Sequence, residues 1–583
     1  MKKILMMLTA VTALVSCQMD FFRSDTMTSA MLQANPDAAV YTTDGNYAML
    51  KDEVAYSNSR SGCDFARLYF LMQELRGDNV SLCARTPDPL FEDLTYTDYS
   101  TREDLSYMWF ICYKIIYGCN SNIEGMVEGT AATNHLIGEN YFLRAFCHFT
   151  LCNIFATPYS RGADKLGVVI RTSTDVSQTK RATIAEVYTQ IVADLKEAMR
   201  LMKDGTPRGN KGFASYDAAC GLLTRVYLYM GENELCADLC DEMLGSNPAA
   251  NFHPQGVGDY YKNTLTSPET LWCIGKSSTD PDYVSSAQGE MASMYYTPMD
   301  DLKLGWCEMG WAEPLIDLIM RHPEDSRTSH FVPFFTLPEN KMITYALYDE
   351  ALTHRLQVGV RDVKFDVNAA ENKVTIEGKD CVVKKKMING YPAYYITGLY
   401  TDAQDQDDIE GGTRCYVRDN VEAIIGFYKK VTSASVPIYA MTKFSYQEGH
   451  PLLASPAILR WPEIVLNRAE ANAKIGGKDA DVLADLNVIR KRAGIPEWKD
   501  QAHWASEGYK ELLDVVLDER RLELCFEGQR ALDLYRNNRA IDRRFGGIQD
   551  YEVIDVPTLD NIYPYCIPFD EISVTNIPGN YKN

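Results

Sequence analysis

The chain has 583 residues, 46% hydrophobic and 24% charged, an ordinary globular composition with length for one large or several small domains. Its 80 Asp and Glu against 58 Lys and Arg give a formal charge of −22. A surface that acidic repels phosphate backbones and anionic headgroups, which argues against nucleic acid as a partner and leaves any membrane attachment to a lipid.

The first element is a leader. Met1-Lys2-Lys3 precedes an apolar run from Ile4 to Val15 that closes on Leu14-Val15-Ser16-Cys17. A basic start, a short hydrophobic segment and a small residue before cleavage mark residues 1–16 as a signal peptide. The run is too short to span a bilayer, which takes roughly 20 apolar residues. The tetrapeptide resembles the lipobox of bacterial lipoproteins, in which the cysteine becomes the acylated first residue. Cys17 is therefore the expected lipid anchor; the alternative is an ordinary signal peptide with a chance cysteine. One acyl chain holds weakly, at about 0.8 kcal/mol per buried CH₂, so stable anchoring needs more than one. Asp20 follows closely, resembling the export signal that sends lipoproteins of some Gram-negative bacteria to the exterior face of the outer membrane. Loss of Lys2 and Lys3 with the leader takes the charge from −22 to −24.

From 17 to 250 the pattern is helical. Apolar residues recur at i, i+3/i+4, i+7 over 103–128 (Leu105, Trp109, Tyr113, Ile116), 137–155 (Phe142, Phe146, Phe149), 184–202 (Val187, Ile191, Leu195) and 215–230 (Ala219, Leu223, Val226). Consecutive amphipathic helices of this kind must stack pairwise to bury their faces. Gly231-Glu232 and Asn247-Pro248 read as helix stops. Residues 251–450 are rich in Pro, Gly, Tyr and Asp. Alternation in Val358/Val360, Val363/Phe365/Val367 and Val374/Ile376 predicts short antiparallel strands, with Asn389-Gly390 as a turn. Thr401–Gly412 is acidic but lacks calcium-loop spacing and reads as a solvated segment. From 451 to 583 helices return, at Ser455–Lys474, Ala480–Ala493 and Tyr509–Glu527. The predicted fold is mainly α, a helical scaffold whose two ends pack together around an irregular, partly stranded middle.

Catalytic motifs are absent: no HExxH, GxSxG, P-loop, GxGxxG or paired CxxC occurs. A carboxylate pair of glycosidase type is not excluded by spacing. The 15 cysteines beyond Cys17 form no framework and read mostly as free, buried thiols. Asp518, Glu519, Glu523 and Glu527 share a predicted helix, but no histidine joins them and Arg520, Arg521 and Arg530 interleave. An arginine–carboxylate network is the better reading than a metal site, and Gly528 is the expected helix stop.

The segment Asp518-Glu519-Arg520-Arg521-Leu522-Glu523-Leu524-Cys525-Phe526-Glu527-Gly528-Gln529-Arg530, with Asp533-Leu534-Tyr535-Arg536, closely resembles the signature of the SusD/RagB family. In the family's order come Gly138–Ala145, Leu459–Ala471, Asp485–Gly494 and a compressed terminal phrase from Ile567-Pro568 to Tyr581, with Ile577 as its departure. The resemblance implies a tetratricopeptide-like helical scaffold on an outer-membrane lipoprotein. Such proteins cap a SusC-like TonB-dependent transporter and capture oligosaccharides, sometimes peptides, without catalysis, cofactor or metal. Family sites lie on aromatic loops. Here that places Arg76, Asp78 and Asn79 after an early helix, Tyr96 and Tyr99 in the next loop, and Tyr295, Tyr296, Trp306 and Trp311 ahead of Glu313-Pro314-Leu315-Ile316-Asp317-Leu318. Aromatic faces would stack on sugar rings while charged and amide groups read hydroxyls. The alternative is that Trp306 and Trp311 anchor their loop to the core. A surface glycan hydrolase and a helical scaffold binding only protein are the rival functions.

Overall fold

The computed structural model describes residues 36–51, 64–82, 90–205, 207–280, 291–295, 309–328, 441–545 and 552–580. Between 336 and 438 it describes 336–337, 340–341, 344–348, 355–360, 363–366, 368–376, 378–388, 391–397, 413–418, 422–425, 427–431 and 434–438. The structural statements below concern these residues. Cys17, the Asn389-Gly390 turn and the acidic stretch 401–412 lie outside them.

The scaffold is helical. Its main helices are α1 (Pro36–Ala48), α2 (Phe65–Glu74), α3 (Glu103–Gly125), α4 (Ala131–Phe155), α5 (Ile184–Met202), α6 (Tyr216–Met230) and α7 (Asn233–Leu244). After the middle region come α8 (Trp461–Ile475), α9 (Asp479–Ala493), α10 (Leu512–Leu524) and α11 (Arg530–Arg536). Each packs on its sequence neighbour from α3 to α7, as expected of stacked pairs. The stack then jumps the middle of the chain: α7 packs on α8, which carries α9 and α10. The predicted union of the two helical ends is thus a direct helix–helix interface.

Local chemistry sets the helix limits. α5 opens with a capping box, in which the Thr183 hydroxyl accepts from the Glu186 amide and the Glu186 carboxylate accepts from the Thr183 amide. α6 ends at Gly231, whose φ of 81° is the left-handed turn that glycine takes without cost. α7 stops at Gly245, ahead of the predicted Asn247-Pro248.

Strands of the described region include β1 (Val80–Leu82), β2 (Thr270–Cys273), β3 (Met309–Trp311), β4 (Val363–Lys364), β5 (Glu371–Ile376), β6 (Lys379–Ile388), β7 (Tyr391–Thr397), β8 (Thr413–Arg418), β9 (Glu422–Ile425) and β10 (Ala457–Arg460). Of the alternation read in the sequence, Val363 and Val374/Ile376 fall in an antiparallel six-stranded sheet in the order β4-β9-β8-β7-β6-β5, while Val358/Val360 lie on a strand, Arg355–Val360, that pairs with Thr344–Tyr348 in a separate two-stranded sheet. Cys381 and Val383 are buried, while Val382 between them is half-buried and Lys384 beyond them is exposed, so one face of β6 packs inward. β2 and β10 pair antiparallel and tie the two halves together, with Leu459 opposite Trp272. Trp272 is fully buried and meets Phe142 and Phe146 of α4 edge-on at 4.9 and 4.8 Å. Residues 457–460, read from sequence as the start of a helix, are therefore strand; the helix begins at Trp461, with Pro462 in its first turn.

Among the described residues no helix is long and apolar enough to cross a membrane. Among the described residues, Cys112, Cys119, Cys147, Cys152, Cys220, Cys236, Cys240, Cys273, Cys381 and Cys525 are free and buried, and Cys566 is free and half-buried.

Candidate functional site

The signature segment organises the region. α10 ends at Leu524, not at Gly528 as the sequence suggested, and the chain turns through Phe526 in the left-handed region at φ 65°. That conformation is costly for a non-glycine residue and needs outside support. Glu74, fully buried at the end of α2, supplies it: its carboxylate accepts from the Phe526 amide at 3.1 Å, the Gly528 amide at 2.9 Å and Asn79 Nδ2 at 3.0 Å. Lys443 Nζ donates to the carbonyls of Glu523 and Cys525 and pairs with Glu527.

The carboxylates of α10 form the expected network, but with cations the sequence did not single out. Glu519 pairs with Arg327 at 2.8 Å and Arg490 at 3.2 Å. Glu523 meets Arg460, Arg492 and Arg327, and Glu527 meets Arg460 at 2.9 Å. Burial would raise the Glu523 carboxyl, yet Arg492, Arg460 and Arg327 outweigh it and hold the group well below the usual range. The interleaved arginines point elsewhere. Arg520 reaches Asp533 at 2.9 Å and Asn467 at 2.8 Å, while Arg521 and Arg530 reach Asp78. Among the described residues no group of three or more His, Cys, Asp or Glu is placed to hold a metal ion.

Several sequence-predicted ligand residues converge on this same turn, as its foundation. Asp78 receives Arg530 Nε at 2.8 Å; burial raises its carboxyl, but Arg521 and Arg530 bring it down to about 2. Asn79 Oδ1 accepts from Arg521 Nε at 2.8 Å. Arg76 is 1% exposed, its guanidinium 3.4 Å above the Tyr565 ring and 4.8 Å from Tyr96, and it donates to the Ile562 and Tyr563 carbonyls. The Tyr96 hydroxyl donates to the Arg76 carbonyl at 2.6 Å. Arg543, which sequence reading passed over, donates to the carbonyls of Leu75, Gly77 and Leu94 and fixes the turn between them.

β1 and β3 form a two-stranded ribbon from here, Val80 opposite Trp311 and Leu82 opposite Met309. Trp311 is 1% exposed and packs on Phe526 at 5.5 Å; Tyr295 is fully buried and packs on the same ring at 5.3 Å. Trp311 thus takes the core-anchoring role weighed for it. Arg76, Asp78, Asn79, Tyr96, Tyr295 and Trp311 all face protein, whereas Tyr99 shows 48% of its surface to solvent. Tyr296 and Trp306 lie outside the described residues. The chain leaves one end of the ribbon into 83–89 and enters it from 296–308. At the other end opens a cleft of about 680 Å³ lined by Asp78, Pro314, Tyr509, Asp518 and Arg521 among others. Its arginines 521, 530, 539 and 544 are already ion-paired. The supporting role of Lys443 and the turn at Phe526 were, like Arg543 and the α10 cations, missed by sequence reasoning; a Phe-Glu-Gly directly after an acidic helix was the available signal for a supported turn.

Comparison with known proteins accords with this architecture. A family model described as the SusD family matches residues 350–572, and a second, described as starch-binding associating with outer membrane, matches 70–228. SusD-like protein P38 of Formosa agariphila is 20% identical over 520 residues, covering 85% of this chain and 87% of that protein. A SusD superfamily protein from Bacteroides vulgatus superposes with TM-score 0.63 at 18% identity, over 94% of this chain and 99% of its own. A laminarin binding SusD-like protein superposes with TM-score 0.57 at 19% identity, over 94% and 99%. With both ends of the scaffold matched in order and the same fold throughout, the chain belongs to the SusD/RagB family.

Proposed function

We propose that this protein is a cell-surface lipoprotein, anchored through Cys17 and facing the exterior, that binds oligosaccharides and delivers them to a SusC-like TonB-dependent transporter without chemical turnover. The observation that carries the reading is the match of residues 70–228 to a family described as starch-binding associating with outer membrane. The laminarin binding relative of like fold supports the glycan half. The lipobox and the acidic body support the anchor, since a −22 chain gains nothing from an anionic surface. The ligand face of this reading is built by the segments 83–89 and 296–308 with Tyr99, carrying Tyr296 and Trp306, while Arg76, Asp78, Asn79, Tyr96, Tyr295 and Trp311 hold its base.

Isothermal titration of the full chain against neutral oligosaccharides and against peptides tests it. Heat with glycans and none with peptides is expected. Binding of peptides alone would replace the ligand class, and steady release of shortened sugar would make the protein a hydrolase. Metabolic labelling with palmitate should mark the wild type and spare Cys17→Ala; equal labelling of both would remove the anchor from Cys17.

A further inference from the structure

The cleft of about 680 Å³ at the end of the β1–β3 ribbon has a volume within the range of small-molecule sites, and the function proposed above makes no use of it. Five cations and four carboxylates line it, and most of them answer one another. Asp514 pairs with Arg539 at 2.8 Å, Asp542 pairs with Arg544 at 2.6 Å, and Arg521 and Arg530 share Asp78. Three groups are left over. Asp518 makes no ion pair among the described residues and accepts one hydrogen bond, from the neutral Tyr509 hydroxyl at 2.8 Å. Lys510 is exposed at the rim and makes no ion pair among the described residues. Arg521 is 8% exposed and only partly satisfied: Nε donates to Asn79 Oδ1 and Nη2 to the Asp78 carbonyl, both at 2.8 Å, while Nη1 has no acceptor among the described residues and opens to the cleft.

Asp518 and Arg521 stand one turn apart on α10, a spacing that makes side chains neighbours, with about 5–6 Å between Cβ atoms. Opposite charges so placed ordinarily pair. Here they do not, because Asn79 and the Asp78 carbonyl draw the guanidinium toward the ribbon while Tyr509 holds the carboxylate on its own side. An unanswered carboxylate and an unanswered donor therefore face one cleft side by side. A simple anion would gain Arg521 and Lys510 but meet Asp518, and a simple cation would meet the reverse. A molecule with an ammonium and a carboxylate on one carbon satisfies all three groups, through the charge-assisted bonds that are the strong ones. In a peptide the two termini stand at least one residue further apart and do not match neighbours on a single turn. Pro314, Leu517 and Leu534 leave an apolar wall for the ligand's side chain.

We infer that this cleft binds a free α-amino acid with an apolar side chain, its ammonium on Asp518 and its carboxylate between Arg521 and Lys510. The inference does not rest on the function proposed above. Its test is isothermal titration of the full chain with leucine, with N-acetyl-leucine, which keeps only the carboxylate, and with leucinamide, which keeps only the ammonium. Leucine should bind, and each analogue at least about tenfold more weakly. Asp518→Asn, at a half-exposed position, should weaken leucine at least about tenfold and leave N-acetyl-leucine no weaker, since that molecule brings no ammonium. Ala540→Trp, at an exposed position on the lining, should abolish leucine binding by filling the cleft, with the thermal midpoint retained. Asp518→Asn carries the reading should Ala540→Trp not fold. No heat with leucine, equal affinity for leucine and either analogue, or a leucine affinity unchanged in either folded variant would overturn the inference. Oligosaccharide binding at the loops should be the same in both variants, so a failure at the cleft and a failure of the glycan reading are told apart.

Discussion

Glu74 shows how much one side chain can carry. It is fully buried, its three donors are neutral, and two of them are backbone amides of a turn that includes a left-handed phenylalanine. Burial raises its carboxyl, with Asn79 and the two amides pulling the other way. Glu74→Ala leaves those donors unsatisfied in a dry site, and each such group costs about 1–3 kcal/mol. Chemical denaturation should therefore show a loss of about 3 kcal/mol or more, and Glu74→Gln, which keeps one acceptor oxygen, a smaller loss. Glu139 makes a second prediction at this scale. Burial lifts its carboxyl from 4.5 to about 7, opposed by Arg208 and Tyr47 and reinforced by Asp44; His135 stands at 3.4 Å. A carboxyl whose folded value lies above its unfolded one favours the folded state in acid. That contribution is complete below pH 4.5 and is lost as pH climbs to about 7, at most about 3 kcal/mol from this group. Glu139→Gln cannot titrate. The stability difference between variant and wild type should grow in the variant's favour between pH 4.5 and 7; a difference independent of pH would refute the assignment.

At the scale of elements, α10 was legible as an acidic helix in an arginine network, but its partners and its end were not. Spacing shows which carboxylates share a face; it does not show that Arg327, Arg460 and the α9 pair Arg490 and Arg492 arrive from three other places in the chain. The periodic pattern runs on through Glu527, whereas the helix stops at Leu524, because Glu74 and Lys443 capture its last amides and carbonyls from outside. Tertiary support of this kind leaves no local trace. The same holds for Ala457–Arg460: four buried residues before a helix-starting Trp-Pro look helical alone and become strand because β2 lies alongside. Conversely, most of the described residues across 355–397 are strand, as their alternation predicted, since a period of two is local. Arg460 gives this scale its prediction. It joins Glu523 and Glu527 and is 1% exposed. Arg460→Met should cost about 3–5 kcal/mol in urea unfolding, the usual penalty for orphaning a buried partner. Adding Glu527→Leu should recover part of that loss, because it removes one of the carboxylates that Arg460→Met orphans, while giving up the Lys443 and Tyr261 contacts to it.

For the whole molecule, the stack from α3 through α7 to α10 forms a platform from which the β1–β3 ribbon projects. Most of the candidate ligand residues named from sequence fall at the ribbon's base, and the physical reason is plain. The short Glu-Leu-Arg-Gly-Asp-Asn run is rich in polar groups because it bridges α2 to the C-terminal signature, and polar groups in a bridge look like polar groups in a site. The two tryptophans separate these roles. Trp311 fills the space over Phe526, so Trp311→Ala opens a cavity and should cost about 3–5 kcal/mol of stability. Any affinity it loses should be regained when binding is measured in conditions that restore the folded population. Trp306 lies in the segment assigned above to the ligand face. On that assignment, Trp306→Ala should leave the unfolding free energy within about 0.5 kcal/mol of wild type, the usual size of a surface substitution. It should lower oligosaccharide affinity by the worth of one stacking aromatic, about 0.5–1.5 kcal/mol beyond area burial. The two variants thus move in opposite channels, one in unfolding and one in titration. If both moved stability alone, the ligand face would have to be sought away from 296–308, with Tyr99 as the remaining exposed aromatic of the original set.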